Sequence, residues 1–145
     1  MKTFSELLVS PDASYNLRMY QALEGFTAKL ERVEHVPTSD APPHRPHQFV
    51  YYIHIRNDSM RHLKIMGRKW VITNAEKHKL VVEGDGVVGE FPELGPGESY
   101  HYHSYHLLDS TSTAAGLYLA EDDEGQRVAA QLEAFKMQVP TSTDG

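Results

Sequence analysis

From Phe26 onward the chain is dominated by apolar and polar residues in alternation. Phe26, Ala28 and Leu30 alternate with polar neighbours, which predicts a strand running to about Val36. Phe49, Tyr51, Ile53 and Ile55 share one face of "QFVYYIHIRN" (48–57), a segment rich in aromatic and β-branched residues. "HLKIMGRKWVITN" (62–74) reads as a strand pair or one long bulged strand, with Gly67 at the bulge. "KHKLVVEGDG" and "ESYHYHSYHLL" (98–108) supply two more strands. "AAGLYLAEDDEG" and "RVAAQLEAFKMQV" predict a terminal hairpin around a turn near residues 122–125. Between the first two strands, "PTSDAPPHRPH" (37–47) holds four of the eight prolines and reads as an extended loop. About seven short strands without alternating helices predict an antiparallel sandwich or barrel, not a parallel βαβ sheet.

Ahead of these strands the period changes. Leu17, Tyr20 and Leu23 fall three apart, so a short amphipathic helix is expected, capped by Asp12 or Ser14 and stopped at Gly25. Three segments follow: an N-terminal helical extension (1–25), a β-sandwich domain (26–140) and a tail (141–145). The 145 residues suit a single domain. The net charge of −6 argues against a general nucleic-acid binder. With no cysteine, disulfides and thiol chemistry are excluded. No leader-like or bilayer-length apolar run is legible, so the expected location is cytoplasmic, with no membrane partner.

Residues 84–89, Gly-Asp-Gly-Val-Val-Gly, have the G-x-G-x-x-G spacing of a dinucleotide-binding loop. That loop works by delivering the pyrophosphate to a helix N-terminus. Here Pro92, Gly95, Pro96 and Gly97 follow, and they forbid the helix. Glu83, Asp85, Glu90 and Glu93 surround the loop and would repel a phosphate. A Gly-rich β-turn is the better reading, with Gly84 and Gly86 taking positive φ. Val87, Val88, Phe91 and Leu94 then either cap the sandwich or form an exposed apolar patch suited to a partner.

Taken together, "FVYYIHIRN" (49–57), "GRKWVITN" (67–74), "EGDGVVGEFPELGPGESYHYHS" (83–104) and "GLY" (116–118) resemble the ApaG family, also catalogued as a domain of unknown function. The resemblance spans about residues 26–140. It implies an all-β, immunoglobulin- or fibronectin type III-like antiparallel β-sandwich, with the short N-terminal helix outside it. It also implies a role in protein contacts, and a label of cobalt and magnesium efflux attached to stand-alone members. No catalytic residues are established for the family, so the resemblance implies none.

Candidate chemistry outside the loop is sparse. His101 and His103 are two apart on a strand, share a face and are the candidate metal ligands, with a third ligand needed from an adjacent strand. His106 follows nearby, and nine histidines make chance neighbours common. The run from Glu121 to Glu124 lacks the spacing of a calcium loop and reads as a soluble hairpin tip. Ser110, Thr111, Ser112 and Thr113 read as a loop, and no nucleophile motif is present. Trp70 is expected between the sheets, with Arg68 on the same side at the rim. The resulting expectation is a non-catalytic interaction module with no resident cofactor. Its candidate partner-binding residues are Gly84, Gly86, Val87, Val88, Gly89, Phe91 and Arg68. It would serve an unidentified protein partner, with sheet edges that admit a homo-oligomer. The alternatives are a sensor of a divalent cation or a phosphate or pyrophosphate ligand, and, behind it, a phosphate-ester or pyrophosphate hydrolase.

Overall fold

The computed structural model describes residues 19–141. Nine strands make it up: β1 (Gln21–Ala22), β2 (Phe26–His35), β3 (His47–Asn57), β4 (Leu63–Asn74), β5 (Lys79–Asp85), β6 (Glu93–Leu94), β7 (Glu98–Leu108), β8 (Ser112–Asp122) and β9 (Arg127–Met137). No α-helix occurs among the described residues. The strands join in the order β5-β4-β8-β9-β2-β3-β7, with β1 on β9 and β6 on β4. Long neighbours pair antiparallel except β2 and β9, which meet in parallel through one register pair, Ala28 with Leu132. At that narrow seam the sheet curls, so that β2, β3 and β7 lie over β5, β4, β8 and β9. Tyr51 of β3 and Trp70 of β4 are not on neighbouring strands, yet their rings meet edge-on with centroids 4.8 Å apart. One apolar core, including Phe49, Ile53, Ile55, Trp70, Tyr118 and Leu132, fills the space between.

A β-bulge decides which side chains of β4 enter that core. Leu63 and Ile65 point inward, and strict alternation would then send Trp70 outward. The register against β8 shifts between Ile65 and Gly67, which makes Met66 the extra residue. Beyond it Trp70 and Ile72 face the core. Trp70 also lies across Gly116 of β8, where an added Cβ would sit 3.3 Å from the indole.

Three expectations need correction. The helix expected through Tyr20, Gln21 and Leu23 is not found at these residues: Gln21 and Ala22 are extended and pair in parallel with Val128 and Ala129. The reason is packing. Tyr20 is buried in a second cluster with Val71, Leu117, Leu119 and Ala129, and the strand pairing supplies backbone hydrogen bonds there. The expected caps at Asp12 and Ser14, and Leu17, lie outside the described residues. Ser112 and Thr113 belong to β8, paired with Asn74 and Thr73 of β4. Gly84 is not among the positive-φ residues. Its lack of a side chain matters for a different reason, since an added Cβ would fall 2.7 Å from the Arg68 guanidinium.

Candidate functional site

The Gly-rich loop leaves β5 at Asp85 and folds back onto β4. Gly86 donates its N–H to the carbonyl of Met66, the bulge residue of β4 (2.7 Å). Arg68 braces the same turn, its Nη1 donating to the carbonyls of Asp85 and Gly86 at 3.1 Å each. Val87 and Glu90 close a two-residue hairpin through Val87 N–H to Glu90 O (2.7 Å) and Glu90 N–H to Val87 O (3.1 Å). Ile65 N–H then takes Pro92 O, and Leu94 pairs with Leu63, which ties the return path to β4. Gly89 opens into this hairpin, not a helix.

The central residues of the hairpin, Val88 and Gly89, have φ of 50° and 83°. Positive φ at both is the mark of a type I′ turn, which ordinarily takes Asn-Gly or Gly-Gly. A β-branched residue there is a conformational outlier, held only because the flanking bonds over-determine it. The four apolar residues of the segment divide their roles. Val87 and Leu94 are buried in the core, whereas Val88 and Phe91 are 53% and 45% exposed at the tip. Lys64 lies 6.0 Å from the Phe91 ring. Arg68, the cation nearest the loop carbonyls, serves as their clamp, so the acidic surroundings keep their opposition to a phosphate.

His101 and His103 both face outward on β7, but their neighbours differ. His103 packs against Tyr52 with ring centroids 5.4 Å apart. His101 stacks on His54 (4.1 Å, 10° between planes) and contacts Glu31 Oε1 through Nδ1 at 2.6 Å. Glu31 and His54 escaped the sequence reading because they come from β2 and β3, far from β7 in the chain. Only the strand register, which pairs His54 with His101, joins them.

His106 turns the other way, into the core. It stacks on Tyr51 (4.7 Å) and meets Trp70 edge-on (4.9 Å). Burial, with a smaller contribution from the Arg68 charge, pushes its pKa down to about 4. Burial likewise raises Tyr102 and Tyr118, whose hydroxyls hydrogen-bond each other. The most perturbed groups therefore lie in the interior, away from the Gly-rich loop tip and from His101.

A pH effect follows from His106. Its folded pKa lies below the ordinary 6.5, so the folded state resists a proton that the unfolded chain accepts. The contribution is complete above pH 6.5 and drains away as pH falls toward 4, by roughly 3 kcal/mol in all. Urea denaturation at steps through this window should show wild type losing stability faster than His106→Phe, which keeps the ring packing. Equal slopes would refute the assignment.

No helix among the described residues is long and apolar enough to cross a membrane. A family model described as DUF525, the ApaG domain, matches residues 37–121. Protein ApaG of Vibrio cholerae is 34% identical over 110 residues, 75% of this chain and 87% of that protein. Protein ApaG of Azoarcus sp. is 37% identical over 119 residues, 81% of this chain and 94% of that protein. Among solved structures, the X-ray structure of a Northeast Structural Genomics Consortium target matches with a TM-score of 0.72 at 27% identity. That match covers 81% of this chain and 88% of the other.

Proposed function

The chain belongs to the ApaG family, and we propose that it works there as a non-catalytic, cytoplasmic binding module presenting residues 86–91 to a protein partner. One observation carries the reading: Val88 is both exposed and held at a φ of 50°. A β-branched residue in the left-handed region costs on the order of 1–3 kcal/mol, and such strain gathers at binding sites. Nothing in the packing of the loop tip calls for a valine, because the side chain points away from the core that Val87 fills. Phe91 beside it adds an aromatic anchor of the kind that dominates interface energetics. The connectivity supports an immunoglobulin- or fibronectin type III-like reading of the sandwich, with three strands over four and the loop at one end. In such domains the end loops carry recognition while the sheets stay rigid.

Val88→Asn tests both halves of the reading. Asparagine suits the first central position of a type I′ turn, so stability is expected to rise by about 1 kcal/mol. Partner capture should fall, and Phe91→Ser should lower it by about tenfold or more. The check is quantitative capture from native lysate on wild-type, Val88→Asn and Phe91→Ser baits, beside their thermal melts. The reading fails if no partner is enriched on wild type, or if both variants retain the same partner undiminished.

A further inference from the structure

On the outer face of β2, β3 and β7, away from the Gly-rich loop, Glu31, His54 and His101 converge. One donor atom from each, two imidazole nitrogens and a carboxylate oxygen, lies within 4.8 Å of the others. We propose that these three residues form a binding site for a first-row transition metal ion, with zinc and cobalt as the probes.

The convergence is built into the backbone. His54 and His101 are direct register partners on adjacent antiparallel strands. Glu31 stands two residues beyond Lys29, the register partner of His54, and so shares its outward face. The β2 register shifts between Leu30 and Arg32, so Glu31 is the inserted residue of a bulge. Its carboxylate lies 2.6 Å from His101 Nδ1. Nε2 of His54 is buried with no hydrogen-bond partner among the described residues.

The donor chemistry selects the ion. Imidazole suits zinc, cobalt, nickel and copper, whereas magnesium and calcium seek all-oxygen sets. Around a tetrahedral ion with bonds of about 2.1 Å, donor atoms stand about 3.4 Å apart. The present donor atoms, all within 4.8 Å of one another, stand within about 1.4 Å of that spacing. His101 and Glu31 are exposed, so solvent can fill the remaining coordination positions. Arg32 and Arg56 share the face and pair with Glu34 and Asp58, while Lys29, the register partner of His54, works directly against the ion. Its exposed stem lets the ammonium swing into water. The site does not depend on the loop reading above.

The test is isothermal titration of tag-free, chelator-treated full-length protein with zinc chloride and cobalt chloride, alongside the visible absorption of the cobalt form. One equivalent is expected to bind, with cobalt bands of low-symmetry coordination. His101→Ala and His54→Ala should each lower affinity by at least about tenfold, and Glu31→Gln by about 10–100-fold. His103→Ala and His62→Ala should bind as wild type. Circular dichroism melts confirm that each variant folds, and exposed His101 provides a variant that does not touch the core. Absence of stoichiometric binding in wild type overturns the proposal. So does binding unchanged in both His54→Ala and His101→Ala, or binding lost in His103→Ala alone.

Discussion

Gly86→Ala is expected to destabilise the fold by roughly 3–5 kcal/mol, which for a chain of this size lowers the melting temperature by about 10–20 °C. Two costs add. An alanine at φ 61° loses about 1 kcal/mol or more to left-handed strain. Its Cβ would also stand 2.2 Å from the backbone oxygen of Glu90, an atom that cannot swing away. That oxygen accepts the Val87 N–H that closes the hairpin. Relief of the clash therefore opens the turn and draws Val87 out of the core, where it is fully buried. Exposing such a side chain costs about 1.5–3 kcal/mol by itself. Gly89→Ala is the internal control. Its φ of 83° is equally left-handed, but an added Cβ meets nothing within 4 Å. Calorimetric melts should place Gly89→Ala near 1–2 kcal/mol, the strain alone. If the two variants melt together, the packing argument is wrong.

Asn57→Ala should cost roughly 3–4 kcal/mol, from buried polar groups left without partners. Asn57 ends β3, is fully buried, and uses its whole amide. Nδ2 donates to the carbonyls of Arg61 (2.7 Å) and Leu94 (2.8 Å). Oδ1 accepts from the Ser59 N–H (3.0 Å) and the Ser59 hydroxyl (2.6 Å). One side chain thus ties the turn after β3 to β6, the return strand of the candidate loop. Alanine orphans two carbonyls, an amide and a hydroxyl in the interior. Ser59→Ala removes only the hydroxyl and should cost about 1 kcal/mol. Urea midpoints at constant m-value decide the case. A cost for Asn57→Ala no greater than that of Ser59→Ala would show that the end of the sandwich does not rely on this amide.

The two variants probe features of different legibility. Gly86 stands in a conspicuous glycine string, and the prolines after it ruled out a helix from composition alone. The string did not reveal that Gly84 and Gly86 differ, one leaving room for Arg68 and the other adopting a positive φ. Asn57 carried only a weak signal, a polar residue closing an apolar strand. Its partner at Leu94 lies 37 residues away, joined only when β6 pairs with β4.

Local sterics and side-chain periodicity, which act over a few residues, are written in the sequence. They specified the long strands, the breaks at glycine and proline, the shared face of Arg68 and Trp70, and the shared outward face of His101 and His103. The relations between strands came only with the tertiary structure. Register pairs His54 with His101, the β2–β3 pairing brings Glu31 to the same face, and the seam between Ala28 and Leu132 folds one sheet over itself. Curling divided the loop's apolar residues, burying Val87 and Leu94 while leaving Val88 and Phe91 in water. The reason is the period of two. A single inserted residue exchanges the faces of everything beyond it, and only the pairing of distant strands decides where that insertion falls.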